Sequence, residues 1–143
     1  MTEDIIKAVC AVIYGLFGDG YKIYTEAVAQ DADAPCFFVL CTTPSINRRL
    51  GDEYFQKTPV IVQYLPQNDE EYRTECTDVF EKLSLNLDMI PLEDSYIHGL
   101  DLHGEIIDGV LNFYVRYDTP IVKTKEPTAR MEKIEITQEL KGG

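Results

Sequence analysis

With 143 residues, 45% of them apolar and 27% charged, the chain has the composition of one ordinary globular domain, and no apolar run approaches the roughly 20 residues of a membrane-spanning helix. Its 13 Lys and Arg face 25 Asp and Glu, a net charge of −12 that argues against gripping nucleic acid through its phosphates. The acidic start Met1-Thr2-Glu3-Asp4 lacks the basic region of an export signal, and Cys10, Cys36, Cys41 and Cys76 sit in apolar runs without CxxC spacing, the pattern of reduced core thiols.

Thr2 is placed to cap a first helix with Glu3 and Asp4 in its first turn, where the helix dipole favours acids. Ile5, Val9, Val12, Ile13 and Leu16 then recur at helical spacing, widened by Ile6, Cys10 and Phe17. Gly18-Asp19-Gly20 ends the helix. Residues 21–26 alternate as a strand, and residues 27–34 form a small, acidic connection.

The central stretch comes next. Pro35-Cys36-Phe37-Phe38-Val39-Leu40-Cys41 and Thr58-Pro59-Val60-Ile61-Val62-Gln63-Tyr64-Leu65 read as strands covered on both faces. Residues 42–53 between them are polar and punctuated by Pro44 and Gly51. A two-residue turn would join neighbouring strands more cheaply, so these twelve residues read as a functional loop. Folding alone offers little return for ordering it, so the reading has the loop mobile in the free subunit and ordered on docking.

Asn68-Asp69-Glu70-Glu71 has the pattern of a capping box, and Tyr72, Cys76, Val79, Phe80, Leu83 and Leu87 share one face of the helix that follows. Residues 88–94 form a bend with room for a short edge strand. Residues 96–107 then run into Asp108-Gly109, a strong hairpin-turn signal, and the chain returns from Val110. On the return, Leu111, Phe113, Val115 and Tyr117 share one face, with Asn112, Tyr114 and Arg116 opposite. Asp118-Thr119-Pro120 reads as a break or bulge before Ile121 and Val122 extend the strand. A polar linker, 123–128, leads to a segment at 131–137 that alternates through Ile134 and Ile136. That segment either completes the chain's own sheet or adds a strand to a neighbour's edge. The expected fold class is α+β, a single domain over 1–143 with 123–143 as a C-terminal strand or arm. Its antiparallel β-sheet is covered by two α-helices in the order α-β-β-β-α-β-β.

Little in the sequence suggests catalysis. Asp101, His103 and Glu105 alternate on one strand face, with His98 on the other. Ligands spaced along a single strand close poorly on one metal ion, so a solvated face is the preferred reading. Cysteines in apolar runs should have raised thiol pKa values, against nucleophilic use. Glycine-rich phosphate loops and a G-x-S-x-G elbow are absent. Arg48-Arg49 is the one basic cluster. It is either neutralised by Asp52, Glu53 and solvent or used to dock acidic partners.

Taken together, the acidic N-terminal helix, the Pro-Cys-Phe-Phe-Val-Leu strand, the Arg-bearing loop, the strand ending in Tyr64-Leu65-Pro66, the capped helix and the hairpin on Asp108-Gly109-Val110-Leu111-Asn112-Phe113 resemble the small tail terminator (tail-to-head joining) proteins of long-tailed phages and prophages. The resemblance implies a structural protein without enzymatic activity or cofactor. It implies a homo-oligomeric ring, a hexamer, that caps the tail tube, contacts the tube protein and meets the head-completion protein. It further implies assembly in the bacterial cytoplasm, residence in the virion tail, and neither membrane nor sequence-specific nucleic acid as partner. The interface is expected at Asn47, Arg48, Arg49 and Leu50 of the loop, and at Ile134 and Ile136 of the tail. Another head–tail neck protein, or a cytosolic binding module unrelated to phage, would share most of these features.

Overall fold

Helix α1 (Thr2–Phe17) follows from its apolar spacing: Ile5, Val9 and Ile13, one turn apart, are completely buried. The computed structural model describes residues 2–26, 33–48, 50–68 and 70–122. Thr2 lies inside the helix, and its hydroxyl accepts a hydrogen bond from Gln56 Nε2 at 2.9 Å, so it ties the helix to the sheet where a cap was expected. Gly18 closes the other end with φ of 82°, its N–H donating to the Tyr14 carbonyl at 2.8 Å.

Among the described residues seven strands follow: β1 (Lys22–Tyr24), β2 (Cys36–Cys41), β3 (Ser45–Arg48), β4 (Glu53–Leu65), β5 (Met89–Leu92), β6 (Ser95–Ile107) and β7 (Val110–Val122). Helix α2 (Tyr72–Asn86) lies between β4 and β5 in the chain. The sheet order is β1-β2-β4-β7-β6-β5, with β3 also paired to β4. The α+β class and the succession of elements are as the sequence implies. One pair departs from the all-antiparallel expectation: β1 runs parallel to β2, Lys22 opposite Cys36. The connection from β1 carries the chain back to start β2 in the same direction, which a hairpin cannot do.

Both helices lie on one face of the sheet. Phe37 and Val39 of β2, Val60, Val62 and Tyr64 of β4, and Leu111, Phe113, Val115 and Tyr117 of β7 point into a single core with Ile5, Val9 and Ile13 of α1 and Cys76, Val79 and Leu83 of α2. The β7 parity matches the sequence reading. The break expected at Asp118-Thr119-Pro120 does not occur. β7 runs through Pro120 to Val122 against β4, and beyond Tyr117 it has no β6 partner, so the missing N–H of proline is tolerated. The irregularity sits in β6 instead, between Leu100 and His103, where Asp101 has φ of 56°. The Asp108-Gly109 turn has both residues at positive φ, 51° and 78°, as a two-residue hairpin requires.

The capping box is replaced by a different device. Asn68 Oδ1 accepts from the amides of Glu70 (2.9 Å) and Glu71 (3.4 Å), shaping the turn before the helix, and the N-cap Glu71 makes no side-chain cap bond. Glu75, one turn into α2, reaches back instead. Its carboxylate accepts from the amides of Gln67 (2.8 Å) and Asn68 (3.2 Å) and from the Tyr64 hydroxyl. The carboxylate thus collects donors beside the positive end of the helix and joins β4 to α2.

Candidate docking arm

The twelve-residue loop expected over 42–53 contains a strand, β3. β3 pairs antiparallel with β4, Ser45 opposite Lys57 and Arg48 opposite Tyr54. β2 pairs with the same edge of β4 further along, Cys41 opposite Val60. The two short strands are therefore one long strand interrupted at Thr42-Thr43-Pro44, with Thr42 N still donating to the Pro59 carbonyl at 3.0 Å. Backbone groups that would be costly to leave unpaired find partners in β4, which supplies the ordering that local sequence does not. Residues 118–122 of β7 lie on the other side of β4. The result is a three-stranded arm extending the sheet beyond the point where β2 ends.

The arm ends in a tight turn. Glu53 N donates to the Leu50 carbonyl at 3.2 Å, Gly51 has φ of 66°, and Arg48 Nε donates to the Gly51 carbonyl at 2.9 Å. All four residues of β3 are exposed. Ile46 is 63% exposed and Leu50 at the turn 86%. Asn47 Nδ2 donates to Ser45 Oγ at 3.2 Å along the same strand. The structure thus brings Asn47, Arg48 and Leu50 together at one end of the molecule. Arg49, Ile134 and Ile136 lie outside the described residues. Ile46 was missed by the sequence reading, although its alternation with the polar Ser45 and Asn47 is a short strand signal once a pairing edge is known.

The remaining candidates are occupied elsewhere. His103 stacks on Tyr114 (centroids 4.8 Å apart) and its Nδ1 lies 2.7 Å from the Asp101 carbonyl. Glu105 accepts from the Tyr114 hydroxyl, and Asp101 pairs with Arg116 at 2.5 Å. The described residues contain no group of three or more arranged to hold a metal. All four cysteines are free thiols, and burial pushes each above the ordinary thiol pKa. No described helix is long and apolar enough to cross a membrane.

A family model described as phage tail terminator protein matches residues 4–129. A search of curated proteins gives no significant match. The family match runs from the first turn of α1 through the end of β7, covering the core, the sheet and the arm, and the chain belongs to the phage tail terminator protein family.

Proposed function

We propose that this chain caps the phage tail tube as a ring of identical subunits, six in the reading adopted here, and offers its outer surface to the head-completion protein. It acts as a structural part of the virion tail, assembled in the bacterial cytoplasm, and the reading invokes neither enzymatic chemistry nor cofactor. The docking residues are Asn47, Arg48, Arg49 and Leu50 at the arm's end, with Ile134 and Ile136 of the tail contributing between subunits. One observation carries the proposal: an ordered β-arm presents Ile46 and Leu50 to solvent beside Arg48 in a chain of net charge −12. Such a combination of apolar and Arg contacts is typical of interface cores, and a copy or tube protein with an acidic surface suits it.

The test is the double reversal Arg48→Glu with Arg49→Glu, read by thermal melting, sedimentation and a tail-joining assay. Arg48 is exposed and its resolved bond is to a neighbouring turn carbonyl, so stability should change by no more than ~1 kcal/mol. Assembly and joining should fall sharply, because reversal sets like charges across the contact. Normal joining with a normal melt would reduce the pair to a solvated surface cluster and remove the arm from the proposal.

A further inference from the structure

β-Sheet edges with unpaired backbone groups recruit other strands unless they are short, interrupted by proline or otherwise blunted. In this sheet β1 is three residues long, β5 carries Pro91, and the one-sided end of β7 carries Pro120. β3 is also short, four residues after Pro44, but it carries no proline within it, and the outer edge of β6 beyond His98 is interrupted by its bulge. Among the described residues β3 pairs with β4 alone, and its outer edge runs Ser45-Ile46-Asn47-Arg48 with every side chain exposed.

Resting on the ring proposed above, we infer that this edge is a strand-acceptor site, and that its occupant is the segment Met131-Glu132-Lys133-Ile134-Glu135-Ile136-Thr137 of a neighbouring copy. The segment lies beyond the residues matched by the family model. Side-chain chemistry sets the register. On β3, Ile46 and Arg48 share a face, and on the segment Glu132, Ile134 and Ile136 share one. Antiparallel pairing with Ile134 opposite Ile46 puts Glu132 opposite Arg48. It joins an aliphatic pair and an ion pair on one face, the cross-strand combinations that stabilise sheets. The parallel alternative with Ile134 opposite Ile46 sets Ile136 against Arg48 and leaves the charge unmatched.

The donor is a second copy in the ring proposed above, and the linker favours it. β7 ends at Val122, opposite Glu53 and so beside the arm's turn. Reaching the outer side of β3 in the same chain means crossing three strand spacings, about 14 Å, and then reversing. Residues 123–130 contain no Gly, Asn or Asp to make that reversal, and Pro127 favours extended backbone at and before it. Extended, these eight residues reach up to about 26 Å, long enough for the segment to meet an adjacent subunit. One donor strand and one acceptor edge per subunit make a head-to-tail contact, the kind that closes into rings.

The experiment uses the full chain with paired cysteines, Ser45→Cys with Glu135→Cys and, separately, Asn47→Cys with Lys133→Cys. The out-of-register pair Ser45→Cys with Ile134→Cys and the parent chain with its native cysteines serve as controls. Under mild oxidation both in-register pairs should give non-reducing gel ladders of dimer and higher multiples, at least several-fold above either control. A disulfide confined to single chains would place the segment on its own subunit and overturn the inference. So would ladders no stronger than those of the controls. Sedimentation of the untreated parent chain decides the ring independently, so an assembled ring without cross-links sinks the strand exchange and leaves the ring standing.

Discussion

Tyr64 illustrates how one side chain serves both the core and a junction. Its ring is buried against Phe37, at 4.9 Å between centroids, while its hydroxyl donates to Glu75, the carboxylate that also holds the amides opening the turn before α2. Burial, then the hydrogen bond to Glu75, pushes the Tyr64 phenol well above its usual pKa, and burial does the same for Tyr117, whose hydroxyl donates to the Leu87 carbonyl at 2.6 Å. A phenol with a raised folded pKa contributes stability fully present below its unfolded pKa and lost as pH rises past it. Melting temperature should therefore fall above pH of about 10, each tyrosine removing up to about 1.4 kcal/mol per pH unit. Tyr117→Phe should flatten that alkaline limb; an unchanged limb would show that other groups cause it. Thr119 offers the opposite case. It is 2% exposed and, among the described residues, its hydroxyl has no hydrogen-bond partner. Thr119→Val removes that desolvated oxygen at nearly constant shape, and urea unfolding should show a gain of up to about 1 kcal/mol.

At the scale of elements, α2 is held by the side chains at its base. Leu83 is fully buried, so Leu83→Ala should cost about 2–5 kcal/mol in urea unfolding. Phe80, read from the sequence as core, is only half-buried. It packs edge-on against Phe113, centroids 5.9 Å apart, over the space left by Gly104. Phe80→Ala should accordingly cost less than Leu83→Ala, and the reverse order would mean that the helix rests chiefly on its β6 side. Gly99 shows how closely the end of α2 approaches the sheet. A Cβ there would lie 2.7 Å from the Leu87 carbonyl oxygen and 2.8 Å from Val115 Cγ2, while the Gly99 amide donates to the Asp88 carbonyl at 2.7 Å. Backbone cannot give way as a flexible side chain can. Gly99→Ala should destabilise by about 1–3 kcal/mol, measured by the same unfolding curve, and a neutral result would mean that the α2–β5 turn is free to shift.

For the whole molecule, charge sets the conditions of association. Copies carrying −12 each repel at long range. Raising salt from about 0.01 M to 0.1 M shortens the screening length from roughly 30 Å to 10 Å, which weakens that repulsion more than contacts desolvated in an interface. Sedimentation should therefore show larger assemblies at the higher salt. Assembly that only weakens as salt rises would mean that exposed ion pairs, and not the apolar Ile46 and Leu50, dominate the contact.

Both helices, the Asp108-Gly109 hairpin and the inward face of β7 were legible from the sequence because each is written in neighbours a few residues apart: a 3.6-residue period, a two-residue turn, strict alternation. Arg48, which the structure places at the end of the arm, stood out in the sequence as part of a charge anomaly. The strand beneath it was not legible. Ser45-Ile46-Asn47-Arg48 becomes β3 only because β4 stands beside it with unpaired backbone groups, a partner that so short a pattern does not announce. The parallel β1, the displacement of the bulge from β7 to β6, and the use of Glu75 in place of the Asn68 capping box have the same origin. Each is a choice among locally acceptable conformations, and it is settled by hydrogen bonds and packing that exist only after distant segments have met.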